Sequence, residues 1–78
     1  MISACVLLRT ERGKFEDVVQ KMGRFDGVKR VFPVLGRYDV VVDLEGETFQ
    51  RIGNTVLKMG RMSGVIFTET LLEIQSER

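Results

Sequence analysis

The chain has no histidine, no tryptophan, and one each of cysteine, proline and tyrosine in 78 residues. Each shortage removes a class of protein. Cys5 alone cannot form an intrachain disulfide, and without histidine a structural metal site would have to be built from carboxylates alone. A core of this size seldom supplies more than ~3–5 kcal/mol of net stability, so oligomerisation is the reinforcement left to expect. With no imidazole to activate it, Cys5 reads as a small apolar strand residue and not as a nucleophile. No charge of either sign dominates: 12 Lys+Arg stand against 11 Asp+Glu, for a formal net charge of +1, and no basic stripe points to direct nucleic-acid binding. The N-terminal apolar run from Ile2 to Leu8 is too short to span a bilayer. It has no basic residues before it and no small-residue cleavage site after it. An unprocessed cytoplasmic protein without a membrane partner is expected, and neither a linker nor a low-complexity segment interrupts it.

What is present is a repeat. Lys-Met-Gly-Arg occurs at Lys21 to Arg24 and again at Lys58 to Arg61, 37 residues later, and each copy is followed two residues on by Gly-Val. Both copies run from an amphipathic helical pattern through glycine into an apolar strand pattern. The chain is therefore expected to be two similar halves, each strand, helix, strand, forming one domain over residues 1–78.

The first strand is expected from Ile2 to Arg9, with Ala4, Val6 and Leu8 on one face and Cys5, Leu7 and Arg9 on the other. A polar turn at Thr10 to Gly13 leads to a helix whose apolar face is Phe15, Val18, Val19, Met22 and Phe25. Asp26-Gly27 stops it, and Val28 to Leu35 forms the second strand. Pro33 cannot donate to a ladder, which places that strand at a sheet edge or a bulge. A tight turn at Gly36 opens the third strand, Tyr38 to Leu44, which Glu45 to Glu47 break. A second helix presents Phe49, Ile52, Val56 and Met59 on one face, where Gly53 and Gly60 would let it approach the sheet closely. Ser63-Gly64 ends it, Val65 to Ile74 is the last strand, and a polar tail from Gln75 to Arg78 is expected to fray.

This order implies an α+β fold, the ferredoxin-like βαββαβ arrangement, with an antiparallel sheet and two helices on one face. The first and third strands take the centre. Both carry apolar residues on both faces, so the face away from the helices needs its own cover. A symmetric dimer packing the two sheets together, like a dimeric α/β-barrel, would provide it.

Two clusters are candidate sites. Gly36-Arg37-Tyr38-Asp39 puts backbone amides, a guanidinium, a phenol and a carboxylate within four residues. As a plain hairpin, glycine would supply a positive φ and Asp39 would pair with Arg37 or cap the turn. Thr68-Glu69-Thr70 places Thr68 and Thr70 on one face of the last strand, where threonine is also an ordinary strand former. If the clusters share a cleft at a dimer boundary, they suit a small zwitterion. Asp39 would take the ammonium, and Arg37 or free amides the carboxylate.

Gly36-Arg37-Tyr38-Asp39-Val-Val-Val-Asp43, with Gly27-Val28 before it and Gly64-Val65 and Thr68-Glu-Thr70-Leu after it, resembles the effector-binding (RAM) domain of Lrp/AsnC-type transcriptional regulators. The likeness covers nearly the whole chain, and Gly-x-Tyr-Asp is its most specific element. It implies a non-enzymatic domain without a cofactor that dimerises sheet to sheet, assembles into rings such as octamers or decamers, and binds free amino acids between subunits. By that likeness Gly36, Tyr38 and Asp39 contact the ligand's charged groups, Arg37 fills the variable position of the turn, and Thr68 and Thr70 contribute from a neighbouring strand. Full-length members carry a helix-turn-helix domain in front, whereas Met1 here leads directly into a strand. A stand-alone RAM domain is the expectation, sensing an amino acid or co-assembling with a full-length Lrp-like regulator.

Other uses of this strand order demand residues the chain does not have. A dimeric α/β-barrel oxygenase commonly relies on His, Trp or Asn in its cavity, and only Asn54 is present, on a helix. An RNA-binding module needs stacking aromatics on the central strands, where Tyr38 stands alone at an end. A metal chaperone of this fold needs paired cysteines. The remaining alternative is an assembly domain with an empty cleft.

Overall fold

A computed structural model describes residues 1–74. The elements are β1 (Ile2–Thr10), α1 (Phe15–Met22), β2 (Val28–Pro33), β3 (Val40–Gly46), α2 (Phe49–Gly60) and β4 (Val65–Leu72). The four strands form one antiparallel sheet in the order β2-β3-β1-β4. This is the ferredoxin-like α+β fold, with β1 and β3 in the centre as the alternation requires. The tail expected to fray, Gln75 to Arg78, lies outside the described residues.

Register builds the core. Ala4, Val6 and Leu8 of β1 stand opposite Leu44, Val42 and Val40 of β3, and all six are buried. Val18 and Met22 from α1 and Ile52 and Met59 from α2 close this layer. Burying one Val, Leu, Ile or Met side chain fully contributes about 1.5–3 kcal/mol, so strands and helices both supply substantial parts of the layer's stabilisation. No helix among the described residues is long and apolar enough to cross a membrane.

The repeated tetrapeptides occupy equivalent places. After α1, the amides of Arg24, Phe25 and Val28 donate to the carbonyls of Lys21, Met22 and Phe25; after α2, Arg61, Met62 and Val65 donate to Lys58, Met59 and Met62. Gly27 and Gly64 take φ of +88° and +95° at the same step. Only glycine adopts that backbone freely. The repeat is a helix exit.

Several boundaries differ from the sequence reading. α1 stops at Met22, so Phe25 packs on the core from the exit turns rather than from the helix. β2 ends at Pro33, and β3 begins at Val40 instead of Tyr38. The third strand also runs on through Gly46, because Glu45 and Gly46 still pair with Ser3 and Ile2, and Lys29 reaches Glu45 at 3.5 Å. The last strand ends at Leu72, two residues short of Ile74. Gly53 and Gly60 do not mark a close approach: nothing lies within 4 Å of a Cβ at Gly53, and only Thr68 Cγ2, at 4.0 Å, is near Gly60. The close approach is at Gly46, where a Cβ would come within 2.9 Å of Ile52 Cγ1. Phe15 and Phe49 begin their helices exposed, at 41% and 64%, beyond the layer they were expected to fill.

Candidate ligand-binding site

The loop between β2 and β3 is longer than a tight hairpin. Its neck is closed by the Val34 amide donating to the Asp39 carbonyl at 2.9 Å, and the Asp39 amide donates to the Leu8 carbonyl, also at 2.9 Å. Gly36 at the tip takes φ of +144°, with nothing within 4 Å of a Cβ. Among the described residues, the amides of Gly36 and Arg37 make no backbone hydrogen bond.

Asp39 neither pairs with Arg37 nor caps its own turn. One of its oxygens, Oδ2, accepts the Thr10 amide at 2.8 Å in a half-buried position. That amide sits where the β1–β4 register slips between Arg9 and Thr10. A charged acceptor is a strong match for a backbone donor there. Asp39 is thus held to the end of β1 and keeps its second oxygen for another partner. It also lines a hollow of about 470 Å³ with Phe15, Pro33, Val34 and Leu35.

Tyr38 turns to the other side of the sheet. Its hydroxyl donates to Glu69 Oε1 on β4, crossing β1 over the face away from the helices. Glu69 stands opposite Leu7, which faces away from the core, and the bond to its carboxylate raises the Tyr38 phenol above its usual 10.0. Sequence spacing singled out the threonines on either side of Glu69 and missed Glu69 itself. The two partners are 31 residues apart in the chain, and no local pattern joins them.

Thr68 and Thr70 share a face, as their spacing requires, but it is the helix face. They stand opposite the buried Leu8 and Val6. Thr70 borders an apolar hollow with Phe49, Val56 and Leu57 of α2. Within one chain, the threonine pair and the Tyr38–Glu69 contact therefore lie on opposite faces of the sheet. Tyr38 and the threonines thus do not share a cleft within one chain.

The open face is apolar through its middle. Cys5, Leu7, Phe32 and Val41 are half-buried there, and Phe67 and Leu71 continue the stripe onto β4. Arg30 lies over the Phe32 ring, 4.5 Å from its centroid. Another hollow, about 570 Å³, opens on this face beside Cys5, Arg30, Asp43 and Leu71. Burial, and then the neighbouring Asp43 carboxylate, raise the Cys5 thiol. No group of three or more potential metal ligands occurs among the described residues.

No protein-family model matches the chain. Among curated proteins, it is 26% identical over 74 residues to the HTH-type transcriptional regulator FL11 of Pyrococcus furiosus, covering 95% of this chain and 49% of the regulator. The chain spans about half the length of the curated relatives it matches. Among solved structures, TTHA0845 of Thermus thermophilus superposes with a TM-score of 0.93 at 26% identity, over 100% of this chain and 99% of that one. AsnC of E. coli has the same fold, with a TM-score of 0.88 at 14% identity, over 96% of this chain and 52% of AsnC. The chain resembles the Lrp/AsnC effector-binding domain. The same fold is found in the transcriptional regulator NMB0573 of Neisseria meningitidis, solved as a complex with L-Met (TM-score 0.85, 15% identity, 99% of this chain and 52% of that one). The FL11 relatives are HTH-type transcriptional regulators.

Proposed function

We propose that this RAM-like domain binds a free amino acid at a boundary between subunits and, through its assembly or a regulator partner, couples that binding to transcription. One observation carries the reading: Asp39 is anchored through one oxygen, and among the described residues neither its other oxygen nor the Gly36 and Arg37 amides of the same loop have a hydrogen-bond partner. A zwitterion needs that pairing of a carboxylate with donors a few ångströms away. The exposed Arg37 side chain on the same loop is a further partner for a carboxylate.

The assembly follows from the sheet. Apolar side chains on all four strands stand half-covered on the open face, and a sheet-to-sheet homodimer buries them. Thr68 and Thr70 lie on the face that the helices cover, away from that sheet-to-sheet contact, so they reach another chain's site only where dimers meet in a larger assembly. Rings of such dimers, and mixed assembly with a longer regulator, are extensions of the same reading.

Isothermal titration with the common L-amino acids tests it. Wild type is expected to give saturable heat with at least one of them. Asp39→Asn, which keeps an oxygen for the Thr10 amide and removes the charge, is expected to lose most of that heat. Silence from every amino acid would leave an assembly domain without a ligand.

A further inference from the structure

The amino-acid reading says nothing about the ligand's side chain, and the hollow beside Asp39 does. We infer that the effector is an amino acid with an apolar side chain, seated between the start of α1 and the β2–β3 loop; this rests on the amino-acid reading above.

The hollow, about 470 Å³, falls within the roughly 300–1,000 Å³ span of small-molecule sites. Four of its lining residues, Phe15, Pro33, Val34 and Leu35, are apolar, and Asp39 is the one ionisable group on its wall. The three parts of an amino acid then have separate places. The α-ammonium lies against Asp39, the α-carboxylate meets the Gly36 and Arg37 amides, and the side chain enters the hollow. An acidic side chain would enter with no cation to receive it. A basic one would compete with the ligand's own ammonium for Asp39, and leaving either charge unpaired in an apolar site is costly.

Exposure points the same way. Leu35 is 103% exposed and Phe15 41%, although both border one concave surface. An apolar ligand covers them together. Leu35 has no packing in the folded chain to lose, so it is the residue whose replacement tests selectivity without disturbing the fold.

The test compares Leu, Ile, Met and Phe with Ala, Asp, Asn and Lys by isothermal titration on wild type and Leu35→Asn. The apolar set is expected to bind at least about tenfold more tightly than alanine, the scale that buried methylenes give. Leu35→Asn is expected to shrink that advantage to a few-fold. Tightest binding by Asp, Asn or Lys, or an apolar preference untouched by Leu35→Asn, overturns this inference and leaves the amino-acid reading standing. Failure of all eight to bind overturns this inference, and silence from the remaining common amino acids as well removes the reading beneath it.

Discussion

Replacing Gly27 with alanine is expected to be among the most damaging single changes in the chain. At φ of +88°, an L residue is disfavoured by roughly 1–2 kcal/mol. The new Cβ would also stand 2.3 Å from the Glu45 carbonyl oxygen. That oxygen cannot retreat easily, because Glu45 belongs to central strand β3, pairs with Ser3, and donates its own amide to the Gly27 carbonyl at 2.8 Å. Overpacking of this kind costs about 1–3 kcal/mol, so the total is roughly 2–5 kcal/mol. For a domain of this size, each 1 kcal/mol moves the midpoint by about 4–8 °C, which implies a fall of roughly 8–40 °C. Gly53→Ala is the control. It lies inside α2 with nothing within 4 Å of a Cβ, and it is expected to gain about 1 kcal/mol and raise the midpoint. Thermal denaturation followed by circular dichroism, at matched protein concentration because assembly shifts the midpoint, reads both. Gly64→Ala should fall between them, since its Cβ meets the side-chain atom Val18 Cγ2 at 3.1 Å rather than backbone. Equal midpoints for Gly27→Ala and wild type would refute the close approach of the exit turn to β3.

Tyr38 is the only tyrosine and no tryptophan is present, so phenolate absorbance against pH reports one group. Its midpoint should lie above 10.0 and drop toward that value in Glu69→Gln, because the bond to Glu69 favours the neutral phenol. Whatever stability that bond contributes is present below the unfolded phenol's pKa and lost as pH rises through the raised folded value. Asp39→Ala, which strips the Thr10 amide of its charged acceptor, should cost about 1.5–3 kcal/mol in urea unfolding, and Asp39→Asn clearly less. A negative charge at Leu7, in the middle of the open face, should lower the sedimenting mass of Leu7→Glu relative to wild type. An unchanged mass would place the subunit contact elsewhere.

The sequence was most readable where a local period meets a buried face. Alternation in β1 and β3 identified Ala4, Val6, Leu8, Val40, Val42 and Leu44, all of them buried. The two Lys-Met-Gly-Arg copies marked equivalent helix exits with matching hydrogen bonds. Pro33 sits at the end of edge strand β2, where its missing donor does no harm. What stayed hidden depends on partners distant in sequence. Glu45 reads as a strand breaker until Ser3 and Lys29 are beside it. Asp39 looks like a turn residue until the register slip leaves the Thr10 amide next to it. The period of β4 put Thr68 and Thr70 on one face correctly, yet only the pairing with β1 shows that this face is under the helices. Glycines in α2 suggest close packing, whereas the surrounding space shows Gly53 and Gly60 at the surface.

Amide chemical shifts place a bound amino acid without relying on any variant. During titration with the amino acid that gives the largest calorimetric heat, the resonances of Gly36, Arg37, Tyr38, Asp39 and Thr10 should move together and saturate at one affinity. Shifts confined to the open-face hollow around Cys5 and Asp43, or no shifts with any amino acid, would contradict binding at the β2–β3 loop.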